Sequence, residues 1–180
     1  MDNLPGKAIL VVDMINDFTT GRFGSQNAMD AVKKAENALS IIHNIPIIFA
    51  CDAHIKNDPE FAVWGEHAIE GTYGAEIVDG LKKYPDFVIK KRHFDAFYDS
   101  GLDSLLRSLH IANLYIFGIS TDICVLHTCA GAFYRYYNAK VVSGLCASID
   151  ETKHQAALEN IKINYGYKAI SYGQFINELS

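Results

Sequence analysis

Three side chains that together could form a nucleophile site stand at the ends of short apolar runs in the sequence. Asp13 closes the first such run, Lys91 follows the third, and Cys124 lies just beyond the fourth. Only the thiolate form of a cysteine is a good nucleophile, and a nearby ammonium group lowers the pKa of a thiol. The residue types therefore predict Cys124 as the nucleophile, Asp13 as the group that takes and returns its proton, and Lys91 as the cation that favours the thiolate.

The segment around Cys124 has the composition of a turn from a strand into a helix. It reads GISTDICV over residues 118–125, with Thr121 as the predicted N-cap. Cys124 then falls in the first helical turn, where backbone N–H groups point outward and the helix dipole favours a negative charge. The same N–H groups are suited to hold a negatively charged oxygen during a reaction.

Each of these residue types also has a purely structural interpretation. A lone cysteine in an apolar helix is usually inert core, which suits Cys51, Cys129 and Cys146. A lysine in a basic run is usually solvated, and an aspartate at a strand end often only caps a loop. The structural interpretation of the whole set requires three coincidences at three strand ends.

The apolar pattern that must position these residues alternates between strands and helices. Buried strands are predicted over residues 8–13, 45–51, 87–89, 114–119, 140–143 and 168–171, and helices over residues 26–43, 100–109, 123–137 and 151–165. Short apolar strands separated by helices are typical of a parallel sheet covered on both faces. We therefore predict an α/β fold, a three-layer α/β/α arrangement with a doubly wound, mostly parallel sheet, as a single domain over residues 1–180.

One predicted connection is much longer than the others. Residues 52–86 are polar and rich in glycine and aromatic residues, and they begin with Asp52 and His54 directly after the second strand. Connections of this length in compact domains are usually lids or binding loops. Because ligands of open α/β sheets bind beyond the carboxyl ends of the strands, we expect this connection to border the site.

Composition and charge exclude several classes of protein. The 180 residues are 49% apolar and carry 16 basic against 21 acidic side chains, so neither a nucleic acid nor a membrane is expected as a partner. The sequence start lacks the pattern of an export signal, so we expect a cytoplasmic protein with four free thiols. No Gly-x-Gly-x-x-Gly motif follows the first strand, and no organic cofactor is predicted.

Four segments in order resemble the isochorismatase-like cysteine hydrolases, the group that includes nicotinamidase and N-carbamoylsarcosine amidase. They read AILVVDMINDF over residues 8–18, WGEH and GTYGA over residues 64–67 and 71–75, KRHFDAF over residues 91–97, and GISTDICV over residues 118–125. The resemblance implies that Asp13, Lys91 and Cys124 are catalytic. It also implies a cis peptide bond between Ile119 and Ser120, and an oxyanion hole formed by the backbone N–H groups of Ser120 and Cys124.

The same resemblance implies a metal site in the long connection. Asp52-x-His54, with Glu60 and His67 downstream, is similar to the nicotinamidase metal site, in which an ion lies beside the nucleophile. Mixed histidine and carboxylate ligands suit Zn, Mn or Fe. We expect a divalent metal ion, with zinc as the first candidate. The alternative is that His54 and His67 only form hydrogen bonds within a polar loop.

The activity implied is hydrolysis of a small amide or carbamoyl C–N bond with release of ammonia, through a thioester-type intermediate on Cys124. Phe18 and Trp64, together with Phe23 and Tyr98, are predicted to line a flat pocket, which favours nicotinamide as the substrate. The alternative is an N-carbamoylsarcosine amidase that cleaves a carbamoyl compound. Isochorismatase itself lacks the nucleophilic cysteine, so the presence of Cys124 favours a hydrolase of C–N bonds.

Several features leave the exact role of the chain open. Ile15, Gly65 and Gly144 depart from the residues usual in the family, which leaves the substrate undecided. Two further interpretations are a family member that binds without catalysis and a phosphoacceptor signalling domain of the receiver type. The aromatic segment over residues 133–137 is a candidate contact face, so we expect a homo-oligomer.

Overall fold

A computed structural model describes residues 6–179, which form one parallel sheet flanked by helices. The sheet has the strand order β3-β2-β1-β4-β5-β6, and every pairing in it is parallel. The strands are β1 (Gly6–Val12), β2 (Ile47–Asp52), β3 (Phe87–Lys91), β4 (Ile111–Gly118), β5 (Asn138–Val142) and β6 (Lys168–Ile170). The predicted fold class is confirmed, while residues 1–5 and 180 of the predicted domain lie outside the described part.

Helices lie between successive strands, and one more helix follows β6. They are α1 (Asn16–Thr19), α2 (Gln26–Leu39), α3 (Phe61–Trp64), α4 (Leu102–Ser108), α5 (Leu126–Tyr134), α6 (Glu151–Tyr165) and α7 (Tyr172–Leu179). Helix α6 has its predicted bounds because Asp150 accepts a hydrogen bond from the Thr152 N–H at its start. At its end, Gly166 adopts the left-handed conformation that stops a helix. Within residues 6–179, no helix is both long and apolar enough to cross a membrane.

The chain reverses its direction across the sheet at β1. From β1 it runs outward through β2 to β3, and it then returns to the other side of β1 to form β4, β5 and β6. Val12, the last residue of β1, is in register with Ala50 on one side and Gly118 on the other. Such a reversal opens a crevice at the carboxyl edge of a sheet, where ligands bind.

Strand β3 is longer than the sequence pattern predicts, since it continues past Ile89 through Lys90 to Lys91. The pairing of Asp52 with Lys91 extends the ladder to this point. Lys91 is almost fully buried, which a charged residue tolerates only when it is paired. Its partners are described below, and they are the reason that an apolar run is not needed at this end of the strand.

The start of the fourth connection also differs from the prediction. A π-helical segment over Thr121–Val125 precedes α5, which ends at Tyr134 instead of residue 137. The chain turns there because Tyr136 has a φ angle of +65°, which an α-helix does not accommodate.

The long connection over residues 52–86 packs against the segment after β1. The Glu76 carbonyl accepts a hydrogen bond from the Asn16 N–H, and the Met14 carbonyl accepts one from the Val78 N–H.

Gly118 ends β4 at a point that only glycine can occupy. Its φ angle is +149°, and a Cβ atom there would lie 1.9 Å from the Val12 carbonyl oxygen of β1. We expect Gly118→Ala to lower the free energy of unfolding by more than about 2 kcal/mol, because strand β1 would have to move. Urea unfolding followed by circular dichroism measures this change.

Gly173→Ala is the matched control for this prediction. Gly173 lies in α7 with open space where its Cβ would stand, so alanine should leave stability unchanged or raise it by up to about 1 kcal/mol. Equal stability of the two variants would contradict the steric account of Gly118.

Candidate active site

A cluster of three buried charges lies at the carboxyl ends of β1, β2 and β3. Lys91 Nζ is 2.7 Å from Asp13 Oδ2, and it also donates a hydrogen bond to Asp52 Oδ1. The His93 carbonyl accepts a further hydrogen bond from Lys91 Nζ at 3.0 Å. Asp13 Oδ1 accepts the backbone N–H of Asp52 at 2.8 Å. The side chains of the three charged residues are at most 3% exposed.

Burial and mutual attraction act against each other in this cluster. Burial alone would lower the pKa of Lys91, but the carboxylates of Asp13 and Asp52 hold that pKa well above its usual range. The pKa of Asp13 is raised to about 7, first by burial and then by the Asp52 charge, while Lys91 opposes the rise. Asp13 is therefore a carboxyl group that can exchange a proton near neutral pH.

Cys124 lies beside this cluster, in the π-helical segment that follows β4. Its Sγ and the carboxylate oxygens of Asp13 and Asp52 lie within 4.8 Å of one another, and the thiol interacts directly with the Asp13 side chain. The prediction of a depressed thiol pKa is wrong. Burial raises the pKa of Cys124 well above its usual range, and the negative charge of Asp13 adds to the rise that Lys91 opposes.

The turn that carries Cys124 has one expected and one unexpected feature. The peptide bond between Ile119 and Ser120 is cis, as predicted. The prediction of Thr121 as an N-cap is wrong, because its hydroxyl forms a 2.8 Å hydrogen bond with His154 Nδ1 on α6. Ser120 precedes the π-helical segment and makes no side-chain cap.

A group of potential metal ligands adjoins the charged cluster and shares Asp52 with it. The ligand atoms of Asp52, His54 and His67 lie within 4.8 Å of one another. Glu60 Oε1 is 3.9 Å from His67 Nε2. His54 Nε2 and Glu60 Oε1 are buried and have no hydrogen-bond partner among residues 6–179.

The second nitrogen of each histidine is already engaged. His54 Nδ1 lies 3.3 Å from Asp58 Oδ2, and His67 Nδ1 lies 2.8 Å from the Gly65 carbonyl oxygen. A proton on each Nδ1 satisfies these contacts and leaves the Nε2 lone pairs pointing at the potential ion position, an arrangement typical of metal-binding histidines. Two nitrogen and two carboxylate donors fit a divalent ion such as Zn²⁺.

A cavity of about 170 Å³ opens above Cys124. Its walls are largely aromatic, and Cys124, Ser120, Asp52, Glu60 and His67 reach it. Four aromatic side chains line it: Phe18, Phe23, Trp64 and Phe94. Asp13 and Lys91 do not reach the cavity wall but lie beneath Cys124. Tyr98 is not part of the lining, because its ring is exposed and packs against His93 instead.

The sequence prediction missed several residues of this region. Asp58, which orients His54, lies four residues after it in a polar loop, and that spacing is the signal that was available. Phe94 and Asp122 lie within segments already matched to the family, whereas nothing local in the sequence marks Ser148 as part of the cavity wall.

The family model described as the isochorismatase domain matches residues 7–172 of the chain. The chain belongs to the isochorismatase family. Among solved structures it is similar to N-carbamoylsarcosine amidase from Thermoplasma acidophilum, with 32% identity, a TM-score of 0.84, and coverage of 93% of this chain and 96% of that one. The pyrazinamidase/nicotinamidase of Streptococcus mutans has 29% identity and the same TM-score, covering 92% of this chain and 100% of that one.

One further relative is named as an inactive enzyme. The probable inactive nicotinamidase of Arabidopsis thaliana is 28% identical over 96% of each chain. The chain is thus an isochorismatase-family hydrolase with amidases among its relatives, and the family match removes the receiver-type interpretation.

Lys91→Met tests the charged cluster. The variant leaves two buried carboxylates without their cation, so we expect the free energy of unfolding to fall by about 3–5 kcal/mol. Lys90→Met is the control, since Lys90 is exposed and its surface ion pair with Glu70 is worth less than about 1 kcal/mol. Urea unfolding curves compare the two variants, and equal losses of stability would contradict the importance of the buried pairing.

Proposed function

We propose that the chain is a cysteine amidohydrolase that cleaves a small amide or carbamoyl C–N bond and releases ammonia. The observation that carries the proposal is a thiol at the base of a cavity, in direct contact with a buried carboxyl group that a lysine holds in place. Cys124 is the nucleophile, Asp13 carries the proton, and Lys91 supplies a fixed positive charge. This combination performs nucleophilic catalysis with an adjacent general base.

In the first half of the reaction, Cys124 Sγ attacks the carbonyl carbon of the substrate while its proton passes to Asp13. The carbonyl oxygen gains negative charge, which the backbone N–H groups of Ser120 and Cys124 stabilise. Asp13 then gives the proton to the leaving nitrogen as the C–N bond breaks, so the nitrogen departs as neutral ammonia. An acyl or carbamoyl group stays on the sulfur.

In the second half, a water molecule adds to the carbonyl carbon and passes a proton to Asp13. The C–S bond breaks, the sulfur regains its proton, and the acid leaves. The raised pKa of the Cys124 thiol accords with this sequence, because the thiol stays protonated until a substrate is present to receive the attack. Lys91 keeps a positive charge throughout and holds Asp13 in position.

We propose that a divalent ion is held by Asp52, His54, His67 and Glu60, and zinc is our first candidate for that ion. When bound, such an ion supplies a positive charge that attracts a polar atom of the substrate or of a water molecule. The unpartnered His54 Nε2 and Glu60 Oε1 support this assignment. Asp58 keeps the imidazole of His54 in the required orientation.

Nicotinamide is our first candidate substrate, because the aromatic walls of the cavity suit a flat ring. Phe18 and Trp64 are the residues that we assign to the ring. The alternative is N-carbamoylsarcosine or a related carbamoyl compound, which the 32% identity to an N-carbamoylsarcosine amidase favours.

The cytoplasmic location and a homo-oligomer that uses residues 133–137 stay predictions. In that segment, Phe133, Tyr134 and Tyr136 are exposed in the single chain.

Cys124→Ala is the direct test of the nucleophile. With nicotinamide and carbamoyl compounds as substrates, ammonia release should fall at least about a thousandfold, because the covalent route is lost. Cys129→Ala, which alters a buried thiol away from the cavity, should keep most of the activity. Full activity in Cys124→Ala would refute the mechanism, and a wild-type protein without turnover of any amide would favour the non-catalytic interpretation.

His54→Ala tests the metal site independently of activity. We expect its affinity for Zn²⁺ to fall at least about tenfold, since one of the four proposed metal ligands is removed. Zn²⁺ titration by calorimetry measures the affinity, and the exposed His43 provides the control variant, His43→Ala. Wild-type protein that binds no divalent ion and stays fully active with a chelator would contradict the metal proposal while leaving the cysteine mechanism intact.

A further inference from the structure

Two hydroxyl groups converge on one carboxylate oxygen at the wall of the cavity. Asp122 Oδ1 accepts a hydrogen bond from Ser120 Oγ at 2.7 Å and another from Ser148 Oγ at 2.6 Å. Ser120 and Asp122 belong to the turn that carries Cys124, whereas Ser148 lies in the segment before α6. The carboxylate therefore ties two segments that are distant in sequence, and none of the reaction steps above uses it.

The surroundings of Asp122 keep it ionised. Burial raises its pKa, but the hydroxyls of Ser148 and Ser120 and the charge of Lys153 hold the pKa below its usual range. Hydrogen bonds to an ionised acceptor are stronger than those between neutral groups. Ser148 is itself held from the other side, because its carbonyl accepts a hydrogen bond from Asn27 Nδ2 on α2 at 3.3 Å.

Backbone hydrogen bonds join the same two segments next to this contact. The Ala147 carbonyl accepts the Thr121 N–H at 2.9 Å, and the Ala147 N–H donates to the Gly118 carbonyl at 3.3 Å. These bonds align the two segments but do not restrain the Ser120 side chain. Asp122 supplies that restraint at the residue whose N–H group we assign to the oxyanion hole.

We propose that Asp122 is a positioning residue, which clamps Ser120 to Ser148 and thereby fixes the oxyanion turn relative to Cys124. The inference rests on the proposed cysteine mechanism. Misplacement of a reacting group by about 1 Å can cost about a hundredfold in rate, so a clamp on this turn acts mainly on the chemical step. It has little effect on how tightly the substrate binds.

Steady-state kinetics of ammonia release separate positioning from binding. We expect Asp122→Ala to lower kcat at least about tenfold while KM changes by less than about threefold. Asp122→Asn keeps an oxygen that accepts both hydroxyls, so its kcat should stay within about threefold of the wild type. Ser148→Ala removes one of the two hydrogen bonds, so its kcat should lie between those of Asp122→Ala and Asp122→Asn.

Asp103→Ala is the matched control. Asp103 is also a partly buried aspartate with two side-chain donors, Arg107 and Tyr137, but it does not reach the cavity. Its kcat should be unchanged. A higher KM with unchanged kcat in Asp122→Ala would assign Asp122 to substrate binding, and equal impairment of Asp122→Asn and Asp122→Ala would assign the effect to charge; either result overturns the proposal.

A second measurement does not need the substrate. Iodoacetamide labelling of Cys124, followed by peptide mass spectrometry, should change in rate at least about fivefold in Asp122→Ala relative to wild type and Asp103→Ala, because a displaced thiol changes its distance from the Lys91 cation and the Asp13 carboxylate. An unchanged labelling rate overturns the proposal. A changed rate in a protein that releases no ammonia from any amide supports the clamp and shows that the proposed reaction is wrong.

Discussion

The ammonium group of Lys91 lies between two aspartates that end different strands, in a space that water barely reaches. Removing one charge from water costs several kcal/mol, so each of the three is tolerable only with its partners in place. Asp13 follows β1, Asp52 ends β2 and Lys91 ends β3, and the ion cluster therefore fixes the carboxyl edge of this half of the sheet. Cys124 arrives at the same edge from β4 on the other side of β1.

Asp52 links this cluster to the potential metal ligands. One of its carboxylate oxygens contacts Lys91, and the other lies 3.6 Å from His54 Nε2. The long connection after β2 then bends back so that Glu60 and His67 face the same space. The length of this connection is explained by the need to bring ligands from its middle to the position where it begins.

The cavity combines a reactive floor with apolar walls. Phe18 comes from the segment after β1 and Trp64 from α3, and Phe23 packs edge-on against Trp64 with ring centroids 6.1 Å apart. Aromatic walls exclude water, which strengthens the electrostatic interactions on the floor. They also explain why the thiol pKa is raised, because a group that is hidden from water favours its neutral form.

The sequence by itself determined the order of the six strands along the chain and of helices α2, α4, α5 and α6, the parallel sheet, and the candidate set of Asp13, Lys91 and Cys124, but not the helices α1, α3 and α7. These follow from local patterns, since buried parallel strands are continuous apolar runs and reactive residues stand at their ends. The family motifs added Asp52, His54, Glu60 and His67, residues that the fold does bring together.

Only the tertiary structure decided how these groups act on one another. The pKa of Cys124 depends on the balance between burial, Lys91 and two carboxylates, and no local pattern contains that balance. The contact of Asp122 with Ser148 joins residues 26 positions apart, and the Thr121–His154 bond joins residues 33 apart. Hydrogen bonds of this kind depend on how α6 packs against the turn, which is a property of the folded chain and not of any segment of its sequence.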